Sequence, residues 1–201
     1  MTLQQEIEIF KKGIVELISE DSLQACLKKS RKEHRPLRIK YGVDPSTADI
    51  HLGHSLALQK LKQLQDLGHQ VIFVVGDFTA QIGDPSGALK KRRQLSSEEV
   101  QQNAKTYCSQ IFSILDKQKT KVVFNSEWLS GMRLRDFLRL SSCSTVAQTL
   151  ARADFKERFD KNIDISITEF FYPLLQGYDS VVLNSDIEIG GTDQKFNLLL
   201  G

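Results

Sequence analysis

The 201-residue sequence has little of what small extracellular folds rely on: three cysteines, four prolines and one tryptophan. Cys26, Cys108 and Cys143 are an odd number at wide spacings with no Cys-x-x-Cys pair. That argues against a disulfide framework or a cysteine zinc site and fits reduced thiols in a cytoplasmic protein. No apolar run reaches the ~20 residues a spanning helix needs, so no membrane partner is expected. The first residues, MTLQQEIEIF, lack the basic-then-apolar order of a signal peptide. A large charge of one sign is missing too: 27 basic residues against 25 acidic ones leave a net +2, which neither demands nor excludes a nucleic-acid partner. What is present, 40% hydrophobic and 26% charged, is the make-up of one folded domain large enough to bury a core without cross-links or a structural metal.

Leu3, Ile7, Phe10, Ile14 and Leu17 recur at intervals of four and three, the stripe of an amphipathic helix in an N-terminal helical segment over 1–36. After the polar stretch KKSRKEHRP, LRIKY reads as a strand, GVDPSTAD as a loop, and HLGHSLALQKLKQLQDLG as a helix with Leu52, Leu56, Leu61 and Leu64 on one face and Gly68 as its stop. QVIFVV is a second strand, buried on both faces. Strand, helix, strand in this order is a parallel crossover unit. The order repeats: a loop GDFTAQIGDPSG, a basic run Lys90-Lys91-Arg92-Arg93, a helix opened by the capping box of Ser96 and Glu99 with Val100, Ala104, Tyr107, Ile111 and Leu115 facing inward, then the strand TKVVF ending at Asn125.

Residues 126–163 read as a helical insertion whose Trp128, Met132, Leu134, Phe137 and Leu138 offer more apolar surface than a peripheral excursion exposes. SITEFFYPLLQGYD is helical despite Pro173, and the short apolar segments SVVL and DIEI lead into GGTDQKFNLLLG. The last apolar residues lack a polar cap, so a chain cut within a helix is expected. Residues 1–201 are predicted to form one α/β domain, a Rossmann-like open parallel sheet with helices on both faces. Its site is expected at the carboxyl ends of the strands.

Four segments there carry candidate chemistry. Asp44-Pro45-Ser46 followed by His51-Leu52-Gly53-His54 lies where a strand passes into a helix, a position suited to phosphates. His51 and His54 share a face of a first helical turn, and Gly53 leaves the backbone open to a ligand. A helix cap with an incidental histidine pair, a two-histidine metal site and a polyphosphate site all fit this pattern. Gly83-Asp84-Pro85-Ser86-Gly87 is not a Walker loop, since the Gly-Lys-Ser ending is missing. It is either a turn or a loop aiming Asp84 at a ligand ammonium, and the basic run beyond it is either a solvated loop or a track for pyrophosphate or RNA. Tyr172, Gln176 and Asp179 fall on one helix face, poor core material unless satisfied and suited to a small zwitterion. Gly190-Gly191-Thr192-Asp193-Gln194 follows a strand and opens a helix, where glycines admit a nucleotide and an acid can take ribose hydroxyls.

Together YGVDPSTADIHLGHSLAL, GDFTAQIGDPSG, FFYPLLQGYDSV and EIGGTDQKFNLLLG resemble the class I aminoacyl-tRNA synthetases, and among them the bacterial-type tyrosine-tRNA ligases, from about Leu37 to Gly201. The tryptophan-specific sister family is similar, but the block Gln176-Gly177-Tyr178-Asp179 favours tyrosine. The resemblance implies activation of L-tyrosine with MgATP to tyrosyl-adenylate and pyrophosphate, then transfer to the end of tRNA(Tyr), with no resident protein metal. It implies ATP contacts from His51, Gly53, His54, Gly191, Asp193 and Arg92, with Ser46 near the γ-phosphate and Asp44 and Gln194 at the reacting centre. Asp84, Tyr172 and Gln176 would bind the substrate ammonium, Asp179 the phenolic hydroxyl, and Asn125 would line the tyrosine site. It also implies a homodimer through 126–163, and a lysine signature and anticodon-binding parts beyond residue 201. Two positions depart from the family: Lys40 stands where many relatives have a tyrosine that contacts the substrate hydroxyl, and Tyr41 where a ribose-contacting cysteine is often found. Another His-x-Gly-His nucleotidyltransferase would share the phosphate site but leave the Tyr172, Gln176 and Asp179 face unexplained. A folded fragment without turnover is the non-enzymatic alternative.

Overall fold

The computed structural model describes residues 1–50, 52–86 and 95–201. Four parallel strands, β1 (Arg38–Val43), β2 (Gln70–Val75), β3 (Thr120–Phe124) and β4 (Ile187–Ile189), lie in the order β3-β2-β1-β4. The chain steps outward from β1 to β2 to β3, then returns to the other side of β1. The order therefore reverses between β1 and β4, where open sheets of this kind leave a crevice at the carboxyl ends of the strands.

Alternation along each strand sends side chains to two faces. Ile39, Tyr41, Val43, Val71, Phe73 and Val75 share a core with residues of four helices, α1 (Leu3–Lys11), α2 (Glu20–Glu33), α3 (Leu52–Asp66) and α4 (Ser97–Ile111). Ile72, Val74 and Val123 form a smaller cluster on the other face, covered by Trp128 and Leu183. Trp128 belongs to α5 (Ser126–Leu129) and Leu183 ends α9 (Ile167–Leu183). Between them run α6 (Leu134–Ser141), α7 (Val146–Leu150) and α8 (Ala153–Asp160), and α10 (Lys195–Leu198) closes the chain. Arg158 of α8 and Glu169 of α9 form a buried ion pair that fastens these helices together.

Helix limits follow local chemistry, with some departures from the sequence reading. The N-terminal helix does not continue to Leu17. It stops at Lys11, because Gly13 adopts φ +75°, a conformation outside the helix. The polar stretch that follows is itself helical: Leu23, Leu27 and Ser30 of α2 are buried beneath an otherwise charged surface. On α3, Leu61 and Leu64 are buried as expected, but Leu52 and Leu56 are 80% and 66% exposed and Leu58 takes their place in the core. The capping box of Ser96 and Glu99 opens α4 as read, and Val100, Ala104, Tyr107, Ile111 and Leu115 are all buried. Pro173 sits in the second turn of α9, which continues past it, and SVVL is the end of that helix. The three cysteines are free.

Candidate active site

Because all four strands run the same way, the residues just past their carboxyl ends, Asp44, Gly76, Asn125 and Gly190, gather at one edge of the sheet. Helix α9 crosses beside them and brings Tyr172 and Asp179, both buried, and Gln176 from successive turns. The Tyr172 hydroxyl donates to Asp44 Oδ2 at 2.9 Å, and Thr79 donates to Asp44 Oδ1 at 2.7 Å. Asn125 Nδ2 reaches Thr79 Oγ1 at 3.0 Å and Asp179 Oδ2 at 3.3 Å, while its Oδ1 accepts from the Phe78 amide. This close approach requires glycine at the end of β2: a Cβ on Gly76 would lie 2.0 Å from Asp44 Oδ1 and 2.5 Å from Thr79 Oγ1.

Trp128 was expected in an exposed apolar patch; instead its indole packs over the sheet and Nε1 donates to Asp179 Oδ1 at 2.8 Å. Asp179 therefore holds two donors from the chain itself and keeps further lone pairs for another. A ligand hydroxyl would be an additional partner to this carboxylate, not its first.

The second polar group lies one turn along α9. Lys40, fully buried, faces Glu188 in register across β1 and β4, and its Nζ donates to Glu188 Oε1 at 2.9 Å, Ser180 Oγ at 2.8 Å and the Gln176 carbonyl at 2.8 Å. Lys40 is thus committed to an ion pair. Tyr41 points to the opposite face, where it packs at 6.0 Å from the Phe73 ring, and burial pushes its phenol up to about 12. It is a core residue of β1.

Asp84 and Gln194 meet from separate loops, Gln194 Nε2 donating to Asp84 Oδ2 at 2.7 Å. Asp84 also accepts from the Ser86 amide, which folds the Asp-Pro-Ser turn onto its own carboxylate. Burial, reinforced by the charge of Asp84, pushes the Asp44 carboxyl up to about 7; the Thr79 and Tyr172 hydrogen bonds only partly oppose it. Burial likewise raises Asp179 to about 6, against the lowering influence of Lys40, Trp128 and Asn125. Two carboxyls held above their usual range, with a third acid nearby, make a site that favours an incoming cation.

On the other side of the crevice, His54 is half-buried in the first turn of α3, its ring edge-on to Tyr107 at 6.1 Å. Gly53 is exposed beside it, and exposed Ser46 borders an open cleft of about 580 Å³ with Leu95, Glu98, Glu99, Gln102 and Asn103. Gly191 and Asp193 are exposed at the mouth past β4. His51 and Arg92 lie outside the described residues. Among the described residues no cluster of three or more His, Cys, Asp or Glu side chains could hold a metal ion, and no helix is long and apolar enough to cross a membrane.

The structure thus brings Asp44, Asp84, Asn125, Tyr172, Gln176, Asp179 and Gln194 into one connected set. The sequence pattern did not point to Ser180, Glu188, Arg152 or Asn197, and it put Trp128 in an apolar patch instead of beside Asp179. For Glu188 the alternation of β4 opposite Lys40 was the available signal.

An open parallel sheet with this crevice and this acid-rich helix face defines a class: residues 32–201 match the family model described as tRNA synthetases class I (W and Y), and the chain belongs to that family. It is 60% identical over 199 residues to the tyrosine-tRNA ligase of Carboxydothermus hydrogenoformans and 53% identical over 197 residues to that of Moorella thermoacetica. These matches cover 99% and 98% of this chain and 48% of each relative, so the chain spans about half the length of the curated relatives it matches. Among solved structures, a C-terminally truncated Aspergillus nidulans mitochondrial tyrosyl-tRNA synthetase superposes with a TM-score of 0.82 at 26% identity, over 96% of this chain and 59% of that one. The Archaeoglobus fulgidus tyrosyl-tRNA synthetase complexed with L-tyrosine shares the fold, with a TM-score of 0.79 at 22% identity over 99% of this chain and 58% of that one.

Proposed function

We propose that these residues are the activating portion of a tyrosine-tRNA ligase. The observation that carries the reading is the Asp44 carboxyl, raised by burial and by the charge of Asp84, and held by the Tyr172 hydroxyl beside the Gln176 and Asp179 face. The ammonium of a bound tyrosine relieves that repulsion at Asp84, Tyr172 and Gln176, and its hydroxyl donates to a remaining lone pair of Asp179. Asn125 fixes the carboxylate from the sheet side.

The substrate carboxylate then attacks the α-phosphorus of MgATP. An oxygen-phosphorus bond forms as the bond to the bridging oxygen breaks, and pyrophosphate leaves with the electron pair. No enzyme nucleophile takes part. The chain contributes positioning and matched donors: His51 and Ser46 near the γ-phosphate, His54 near the ribose, Gln194 at the reacting centre, and Gly191 and Asp193 on the adenosine, with Asp193 at its ribose. Gly53 and Arg92 complete the ATP contacts in this reading. A terminal hydroxyl of tRNA(Tyr) subsequently attacks the tyrosyl carbonyl and AMP departs.

The same reading makes the protein a cytoplasmic homodimer whose two-fold interface is built by 126–163. Leu134, Leu138 and Val146, exposed to 71%, 57% and 63%, support it. Exchange of labelled pyrophosphate into ATP by the natural polypeptide carrying this sequence tests the reaction. Exchange should require tyrosine and fall sharply in His54→Ala; exchange indifferent to tyrosine would refute the assignment.

A further inference from the structure

Arg152, just ahead of α8, is buried outside the pocket, its side chain only 3% exposed. Its guanidinium lies 4.7 Å from the Phe155 ring centroid and 5.2 Å from that of Phe196, with Asp154 accepting from Nε and Nη2. Nη1 donates to Asn197 Oδ1 at 2.9 Å, and Nη2 to Ser86 Oγ at 3.2 Å. Asn197 is fully buried in α10, and its Nδ2 donates to Gln176 Oε1 and Gln194 Oε1, both at 2.9 Å, with Ser86 Oγ at 3.3 Å.

An arginine can only donate, so it admits only the carbonyl end of Asn197. The amide NH2 of Asn197 must then face the two glutamine carbonyls. Each glutamine in turn presents its own NH2 away from Asn197: Gln194 toward Asp84 at 2.7 Å and Gln176 toward Glu188 at 3.4 Å. One permanent charge thereby sets the orientation of three side-chain amides, two of them in the candidate site.

We propose that Arg152 and Asn197 are positioning residues for tyrosine activation, fixing which end of Gln176 and Gln194 faces the reactants. This rests on the activation reading above. The two glutamines depend on the relay unequally. Glu188 stays locked by Lys40 at 2.9 Å and Ser180 at 2.6 Å, so Gln176 keeps a second determinant when substrate is bound. Asp84 is the group that a substrate ammonium engages, so Gln194 then relies on Asn197. Loss of the relay should therefore act on the chemical step more than on tyrosine affinity.

The test compares Arg152→Met, which keeps an apolar stem between Phe155 and Phe196 but no donor, with Arg152→Lys, which keeps a donor. Steady-state pyrophosphate exchange should show kcat lowered roughly 10²-fold in Arg152→Met, the scale of a misplaced reacting group. KM for tyrosine should change far less, and Arg152→Lys should retain most of kcat. Asn197→Asp, which still satisfies Arg152 but turns oxygen toward both glutamine carbonyls, should lower kcat and raise KM, and it decides the matter if Arg152→Met does not fold. Equal kcat in Arg152→Met and Arg152→Lys, or native kinetics in Asn197→Asp, would overturn the proposal. Absence of tyrosine-dependent exchange in the wild type would instead sink the activation reading. The orientation claim is then still decided by NMR, where the side-chain amide protons of Asn197 and Gln194 should exchange faster in Arg152→Met than in Arg152→Lys, and equal rates would refute it.

Discussion

On the face covered by α1 to α4, the strands present Ile39, Tyr41, Val43, Val71, Phe73 and Val75 to a continuous apolar core. On the face covered by α5 and α9, β1 and β4 present Lys40 and Glu188, and α9 answers with Tyr172, Gln176, Asp179 and Ser180. The polar residues buried on the apolar side pair locally, Glu6 with Arg31 and His69, and Gln65 with Asp116 and Thr120, near the amino ends of the strands. Apolar burial stabilises a fold in proportion to area, whereas buried polar groups at best break even once their desolvation is counted. The difference teaches that one face holds the domain together, while the other gives up stability to the polar set that we propose takes the substrate.

The comparison breaks most visibly if the faces can be exchanged. Phe73→Ala on the apolar face should cost about 3–5 kcal/mol of unfolding free energy, read by denaturant titration, with the tyrosine-over-phenylalanine preference of the remaining folded protein unchanged. Lys40→Met should cost about 3 kcal/mol by stranding Glu188, while Lys40→Met combined with Glu188→Leu should recover most of that loss. The double variant should nonetheless bind tyrosine more weakly, because Gln176 loses its contacts to Lys40 and Glu188 and keeps that to Asn197. Full tyrosine affinity in that variant would show that the polar face is scaffold only.

A smaller effect concerns pH. Asp44 at about 7 and Asp179 at about 6 hold protons in the folded, unliganded protein that the unfolded chain loses near its ordinary carboxyl range. Folding then binds protons, so the share of stability due to these two groups falls as pH rises from about 4 to about 7. A bound ammonium favours the ionised forms and reverses the sign for binding. Tyrosine affinity should rise between pH 5 and pH 8, by up to roughly tenfold per pH unit for each proton displaced. Calorimetry in buffers of different ionisation enthalpy should detect the released protons, and flat affinity with no release would contradict the assignment. The smallest expected effect is at the surface: Leu138→Glu should change unfolding free energy by less than about 0.5 kcal/mol, as exposed substitutions do. The same change should halve the mass seen by light scattering if 126–163 forms the dimer contact.

Much of the fold could be read because its signals are local and periodic. The strands RIKYGV and QVIFVV and the α4 stripe stand in the sequence almost as they stand in the sheet. The failures were also physical. A charged exterior hid α2, whose buried residues are few, and a single glycine ended α1 where periodicity alone ran on. In the site, groups that follow strand ends or share a helix face were legible, since spacing sets their position. Trp128, Glu188, Arg152 and Asn197 were not. Their importance comes from partners 51, 148, 45 and 111 residues away in Asp179, Lys40, Asn197 and Ser86, a separation no local pattern encodes.

The central proposal is that the polar face takes tyrosine with its α-ammonium among the acids and its hydroxyl at Asp179. The direct measurement is calorimetric titration of the chain with L-tyrosine and with L-phenylalanine, in the wild type and in Asp179→Asn. The account expects saturable binding of tyrosine, little of phenylalanine at equal concentration, and a much reduced preference in Asp179→Asn. Equal binding of both amino acids by the wild type, or a preference that survives the substitution intact, would contradict it.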